Sequence, residues 1–130
     1  MRKTAREPDW LNRTVIDSIH NDQIREHGGR PGVRDENALE SALARPRNKW
    51  LYGRTKDLAI PAAAYGFALV TNHPYVDGNK RVGFLAIVTF LGINGRDFTA
   101  PDSSVLSVII RLAAGQLSEG ELVRWVRENS

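Results

Sequence analysis

Apolar residues recur at helical spacing along most of this chain, and the breaks between the runs carry turn and cap residues. From Asp9 to Glu26, the residues Leu11, Val15, Ile16, Ile19 and Ile24 share one helical face. His27, Gly28-Gly29 and Pro31-Gly32 then stop the helix. Asp35 is placed to cap a second, shorter helix carrying Leu39, Ala42 and Leu43. Pro46 should end it, because proline lacks an N–H and disfavours helix in the residue before it. The stretch Arg47–Lys56 has no helical period and reads as a loop or small hairpin. A third helix is expected from about Asp57, with Pro61 tolerated near its first turn, running through Ala62–Val70. A fourth is predicted from Asn79 to Ile93, closed by Asn94-Gly95. Its segment from Phe84 to Leu91 is apolar on all sides, as in a helix at the centre of a domain. The β-branched residues there also fit a buried strand, but the length and the glycine stop favour a helix. Asp102 opens a fifth helix with Val105, Leu106, Ile109, Leu112 and Ala113. Ser118-Glu-Gly-Glu121 is a capping box for a sixth, with Leu122, Trp125 and Val126.

The pattern predicts an all-α protein of about six helices, and 130 residues suit a single domain spanning 1–130. With 42% hydrophobic and 25% charged residues, the composition is that of an ordinary globular chain. The absence of cysteine excludes disulfides, thiolate catalysis and Cys-ligated zinc. No secretory signal is visible in Met1-Arg-Lys-Thr-Ala-Arg-Glu, and the apolar runs are too short or interrupted to span a bilayer. A cytoplasmic protein without membrane contact is expected. A net charge of +3 is too weak to announce direct nucleic-acid binding. The charge is uneven, however. Arg45, Arg47, Lys49, Arg54 and Lys56 lie close together without an acid, around Trp50, Leu51 and Tyr52. Either this is a solvated basic loop, or it docks an acidic or phosphate-bearing partner.

The segment from Asn72 to Arg81 changes the picture most. It is polar and turn-forming, yet it joins the two most apolar helical runs, so its side chains would be presented from a rigid frame. Gly78 and Asn79 fall at the start of the fourth helix, where free N–H groups and the helix dipole favour an anion, phosphate above all. Lys80 and Arg81 add two positive charges, and a guanidinium can grip phosphate oxygens bidentately. Asp77 supplies a hard carboxylate oxygen suited to Mg²⁺ bridging phosphates. His73 offers an imidazole nitrogen that can accept a hydroxyl proton. A base, a metal ligand and a phosphate cradle within nine residues imply phosphoryl or nucleotidyl transfer to a hydroxyl. The bland alternative is a structural His73–Asp77 pair beside solvated cations. Zinc is disfavoured, since no third ligand is evident. His27 complements a helix dipole, and His20, at the margin of an apolar stripe, reads as a half-buried packing residue.

His73-Pro-Tyr-Val-Asp-Gly-Asn-Lys-Arg81 resembles the Fic signature His-x-Phe-x-Asp/Glu-Gly-Asn-Gly-Arg-x-x-Arg, and more closely its death-on-curing (Doc) branch. The segments His27–Asp35, Leu39–Pro46 and Thr89–Gly95 are similar to that branch too, so the likeness covers roughly residues 15–127. The resemblance implies a compact Fic-type bundle around a central buried helix. In it His73 would be the general base, Asp77 would bind Mg²⁺, and Gly78 with Asn79 would line an anion hole. Lys80 and Arg81 would contact the phosphates of ATP, and Tyr75 would anchor the loop in the core where the family has Phe. The family's target-docking flap would correspond to the basic stretch, making Arg47, Lys49, Trp50, Tyr52 and Arg54 candidates for target or antitoxin docking.

Three positions depart from the signature. Tyr75 replaces Phe, so its hydroxyl needs a partner if buried. Lys80 replaces the second glycine, and in the Doc branch that change goes with a reversed ATP that donates its γ-phosphoryl group. Phe84 replaces the second arginine, which in other members helps hold ATP for AMP transfer and pairs with an inhibitory glutamate. The resemblance thus implies an ATP- and Mg²⁺-dependent protein kinase toxin controlled by a separate antitoxin. Its target would be a Ser or Thr hydroxyl on a translation factor such as elongation factor Tu. The competing readings are a Fic-type AMP-transferase and a catalytically inactive binding module.

Overall fold

A computed structural model of the chain describes residues 7–54 and 56–130. The expectation about Met1–Arg6 lies outside the described residues, as does Thr55 within the basic stretch. The described residues form six helices: α1 (Arg13–His27), α2 (Glu36–Tyr52), α3 (Ala59–Asn72), α4 (Asn79–Ile93), α5 (Asp102–Ala113) and α6 (Glu119–Glu128). The all-α expectation therefore holds, and α4 has the predicted bounds. The capping box of α6 is present, with the Ser118 hydroxyl accepting from Glu121 N–H and the Glu121 carboxylate from Ser118 N–H. None of these helices is long and apolar enough to cross a membrane. α1 starts later than its apolar pattern suggests. The Asn12 side chain caps it by accepting from Val15 N–H. Leu11 instead packs outside the helix, its N–H donating to the Tyr65 hydroxyl at 2.9 Å.

The hub is α3 rather than α4. It contacts α2, α4, α5 and α6, and is buried along most of its length. Its alanines at 59, 62, 63, 64 and 68 let neighbours approach from several directions. α4 buries Val82, Ala86, Ile87, Phe90 and Leu91 but leaves its Phe84, Leu85 and Val88 side along an open groove against α5. At the α3–α4 crossing the two backbones meet through Gly66 and Gly83. A Cβ on Gly83 would lie 2.5 Å from Val70 Cγ2 and 3.2 Å from the Gly66 carbonyl oxygen. The carbonyl is backbone and cannot swing aside, so Gly83→Ala should push apart the helices flanking the candidate loop. We expect a loss of about 1–3 kcal/mol, read as a lower denaturant midpoint at unchanged m. An unchanged midpoint would contradict this close packing.

The largest departure from the sequence reading is α2. It does not stop at Pro46 but continues through it to Tyr52, so most of the expected loop or hairpin is helix. A proline inside a helix costs roughly 3 kcal/mol. Offsetting it, Pro46 is itself buried, and the added turns bury Trp50 edge-on against Trp10 with ring centroids 6.5 Å apart. The basic side chains there are largely engaged. Arg45 and Lys49 pair with Glu119 of α6, Arg47 lies over the Trp10 ring, and Lys56 donates to the Trp50 carbonyl.

Candidate active site

The loop from His73 to Gly78 crosses from the carboxyl end of α3 to the amino end of α4. His73 ends α3 in the left-handed region (φ 49°, ψ 55°), the only non-glycine residue among those described with positive φ. Such backbone is costly for most residues and is tolerated better by histidine than by branched ones. What holds it is Arg34, whose guanidinium donates to the carbonyls of His73 (2.7 Å) and Asn72 (2.9 Å), at the negative end of the α3 dipole. The imidazole is exposed and has no hydrogen-bond partner among the described residues.

The middle of the loop is buried. Tyr75 is 1% exposed, and its hydroxyl donates to Asp17 Oδ1 at 2.6 Å, which supplies the partner its burial requires. Burial, and then that carboxylate, raise the phenol's pKa far above its usual value, so it stays a donor. Asp17 is held in turn by Arg13, which also reaches Glu36 and Glu40 at the start of α2. Asn79 is buried as well. Its side chain accepts from Tyr75 N–H and donates to the Tyr75 carbonyl, at 3.0 and 2.9 Å. That side chain is therefore spent on the loop, and only its backbone N–H is left for an anion.

The segment between α1 and α2 lies along the outer side of the loop. Val33 bridges Tyr75 in antiparallel fashion, Val76 N–H donates to the Gly32 carbonyl, and Arg34 and Asp35 N–H groups donate to the Pro74 carbonyl. Arg30 N–H donates to Asp77 Oδ2 at 2.9 Å, which orients the carboxylate and leaves its other oxygen open. The strand-like neighbour of the loop is thus Gly28–Asp35, not the basic stretch at 47–56. α2 begins beside the loop at Asp35 and, at 1.5 Å per residue, carries Tyr52 about 25 Å away. The proposed docking residues therefore sit at the far end of α2. Trp50 is only 6% exposed and belongs to the interior, whereas Tyr52 is 84% exposed.

Gly78 caps α4 with φ 81° and no side-chain cap, so the first N–H groups of the helix are free of side-chain partners. Lys80 and Arg81 follow, both exposed. They open a groove of about 850 Å³ walled by Phe84 and Leu85 on one side and Leu106 and Ile110 on the other. Leu106 and Ile110 are 64% and 53% exposed. Phe84, where the signature has arginine, faces this groove and packs edge-on against Phe98.

Sequence reasoning missed His20 and the Gly28–Asp35 segment. His20 is 2% exposed, not half-buried, and its Nε2 lies 2.8 Å from the Asp77 carbonyl oxygen. The dense turn signals at Gly28-Gly29 and Pro31-Gly32 marked the segment as irregular, but gave no sign of what it packs against.

The model of the Fic/DOC family matches residues 10–91. Two curated relatives are similar over much of the chain. Protein kinase doc of Escherichia phage P1 is 29% identical over 111 residues, spanning 85% of this chain and 86% of its own. Toxin Doc of Mycolicibacterium smegmatis (strain ATCC 700084 / mc(2)155) is 44% identical over 75 residues, spanning 56% of this chain and 57% of its own. The family match takes in α1 to α3, the whole His73–Arg81 loop and α4 as far as Leu91, and on that ground the chain belongs to the Fic/DOC family, in its Doc branch.

Proposed function

We propose that this protein transfers the γ-phosphoryl group of ATP to a Ser or Thr hydroxyl of a protein, acting as a Doc-like toxin restrained by an antitoxin. The carrying observation is one loop that offers an unpartnered imidazole, a carboxylate with an open oxygen and an uncapped helix N-terminus with two cations. The names of the relatives, a protein kinase and a toxin, agree with that chemistry.

In the proposed reaction His73 takes the proton of the target hydroxyl as its oxygen attacks the γ-phosphorus. The bond from that phosphorus to its bridging oxygen breaks, and ADP leaves while a phosphoester forms. The N–H groups of Gly78 and Asn79 and the side chains of Lys80 and Arg81 hold the phosphate oxygens and meet the charge that develops on them. Mg²⁺ would neutralise phosphate charge when bound. The donor set fits it, because Mg²⁺ in phosphate sites takes one or two carboxylates and completes its shell with phosphate and water. Asp77 provides the one carboxylate, and no cluster of three or more protein ligands exists among the described residues.

The target is read as a translation factor, elongation factor Tu-like, and the site of action as the cytoplasm. An antitoxin would find exposed apolar surface on α5 at Leu106 and Ile110. Arg47, Lys49, Tyr52 and Arg54 remain docking candidates at the far end of α2, remote from the chemistry.

Calorimetry of ATP binding tests the reading. The wild-type protein should bind ATP with Mg²⁺ and much more weakly without it. Asp77→Asn keeps an acceptor for Arg30 N–H but loses the charge, so Mg²⁺-ATP affinity should fall roughly 10–10²-fold, worth about 1.4–3 kcal/mol. Raised Mg²⁺ should recover part of it. No ATP affinity in the wild-type protein would favour an inactive binding module instead.

A further inference from the structure

We propose that His20 is a positioning residue that locks the Asp77–Gly78 peptide, so that its N–H and not its carbonyl faces the phosphate site. The inference deepens the phosphotransfer reading and rests on it for the identity of the anion. His20 stands three residues after Asp17 on α1, and positions three apart share a helical face. That face grips the loop twice. Asp17 takes the Tyr75 hydroxyl, and the His20 ring lies flat on the Tyr75 ring at 3.8 Å with planes 8° apart. The stacked ring reaches past Tyr75 to the Asp77 carbonyl, 2.8 Å from Nε2. A carbonyl oxygen can only accept, so Nε2 carries the proton.

That bond governs more than one atom. The peptide is planar and trans, so its N–H points opposite its C=O. With the Asp77 carbonyl turned inward to buried His20, the Gly78 N–H is turned outward, alongside the free N–H groups that open α4. Gly78 is left-handed at φ 81°, and glycine has no Cβ to resist rotation of the preceding peptide. Without His20 the peptide can turn over, placing a partial negative charge where phosphate should sit.

His20→Phe keeps the stacked ring and removes the donor, whereas His20→Gln keeps an amide donor of similar reach. In the nucleotide-free protein, His20→Phe should speed amide hydrogen exchange at Tyr75, Val76 and Val82, whose N–H groups donate to Asn79 Oδ1 and to the Gly32 and Gly78 carbonyls around the locked peptide, while α3 and α6 stay protected. With Mg²⁺-ATP and target, kcat per folded molecule should fall roughly 10–10²-fold, as for loss of alignment at a phosphate-binding group. KM for ATP should move less than kcat, and His20→Gln should recover most of the loss. A merely structural histidine would lower stability and leave kcat per folded molecule intact. Unchanged exchange at Tyr75, Val76 and Val82 in folded His20→Phe overturns the proposal, even if the wild-type protein transfers nothing and the phosphotransfer reading fails by itself. Should His20→Phe not fold, nitrogen NMR of the wild-type ring decides. A solvent-protected Nε2–H supports the lock, and an Nδ1–H tautomer refutes it.

Discussion

His73→Ala is expected to cut phosphoryl transfer by roughly 10²–10⁴-fold, which is about 3–5 kcal/mol of barrier, while the protein stays folded. The imidazole is exposed, so its removal opens no cavity in the core. The backbone matters, however. His73 sits at φ 49°, a conformation that costs alanine about 1–2 kcal/mol, so the variant should melt somewhat earlier than the wild type. His73→Asn separates the two effects, because asparagine tolerates the left-handed region but is no base at neutral pH. It should melt like the wild type and be as inactive as the alanine variant. Single-turnover kinetics with thermal melts on both variants check this. Near wild-type turnover in either folded variant would remove His73 from the role of base.

Lys80 carries the second large effect, since one side chain is read here as deciding which phosphorus is attacked. It is the second residue of α4, exposed, directly beside the free N–H groups of the helix start. A lysine there should crowd the place an α-phosphate would take and leave ATP reversed, γ-phosphoryl inward. Lys80→Gly opens the space but removes a phosphate contact and adds about 1 kcal/mol of helix cost. We expect kinase activity to fall by roughly 10²-fold or more, with at most a trace of AMP transfer. Adding Phe84→Arg should raise that trace. Phe84 borders the open α4–α5 groove rather than the sealed core, so an arginine can bury its stem there and keep its charge in water. Full kinase activity in Lys80→Gly would contradict the role given to the lysine.

Much of the scaffold could be read from local pattern. The bounds of α4, the α6 capping box and a polar loop set between two apolar helices all follow from residues close in sequence. The errors lie where distant residues decide. Pro46 should have ended α2, but the burial of Trp50 against Trp10, forty residues earlier in the chain, carries the helix on. Three supports of the loop come from far away: His20 on the Asp77 carbonyl, Arg30 on the Asp77 carboxylate and Arg34 on the His73 carbonyl. Periodicity gives the face of a helix but not the loop that face will meet, so His20 looked like a packing residue. The segment that lies along the loop was hidden for the same reason, since only the fold brings Val33 beside Tyr75.

Which phosphoryl group moves can be read from the position of an isotope in ATP. Wild-type protein should be incubated with Mg²⁺, bacterial lysate and ATP labelled at either the γ- or the α-phosphate, with His73→Asn as the control. Protein-bound label is expected from γ-labelled ATP alone, with release of ADP and no labelling by the control. Protein-bound label from α-labelled ATP would mean AMP transfer and would contradict γ-phosphoryl transfer.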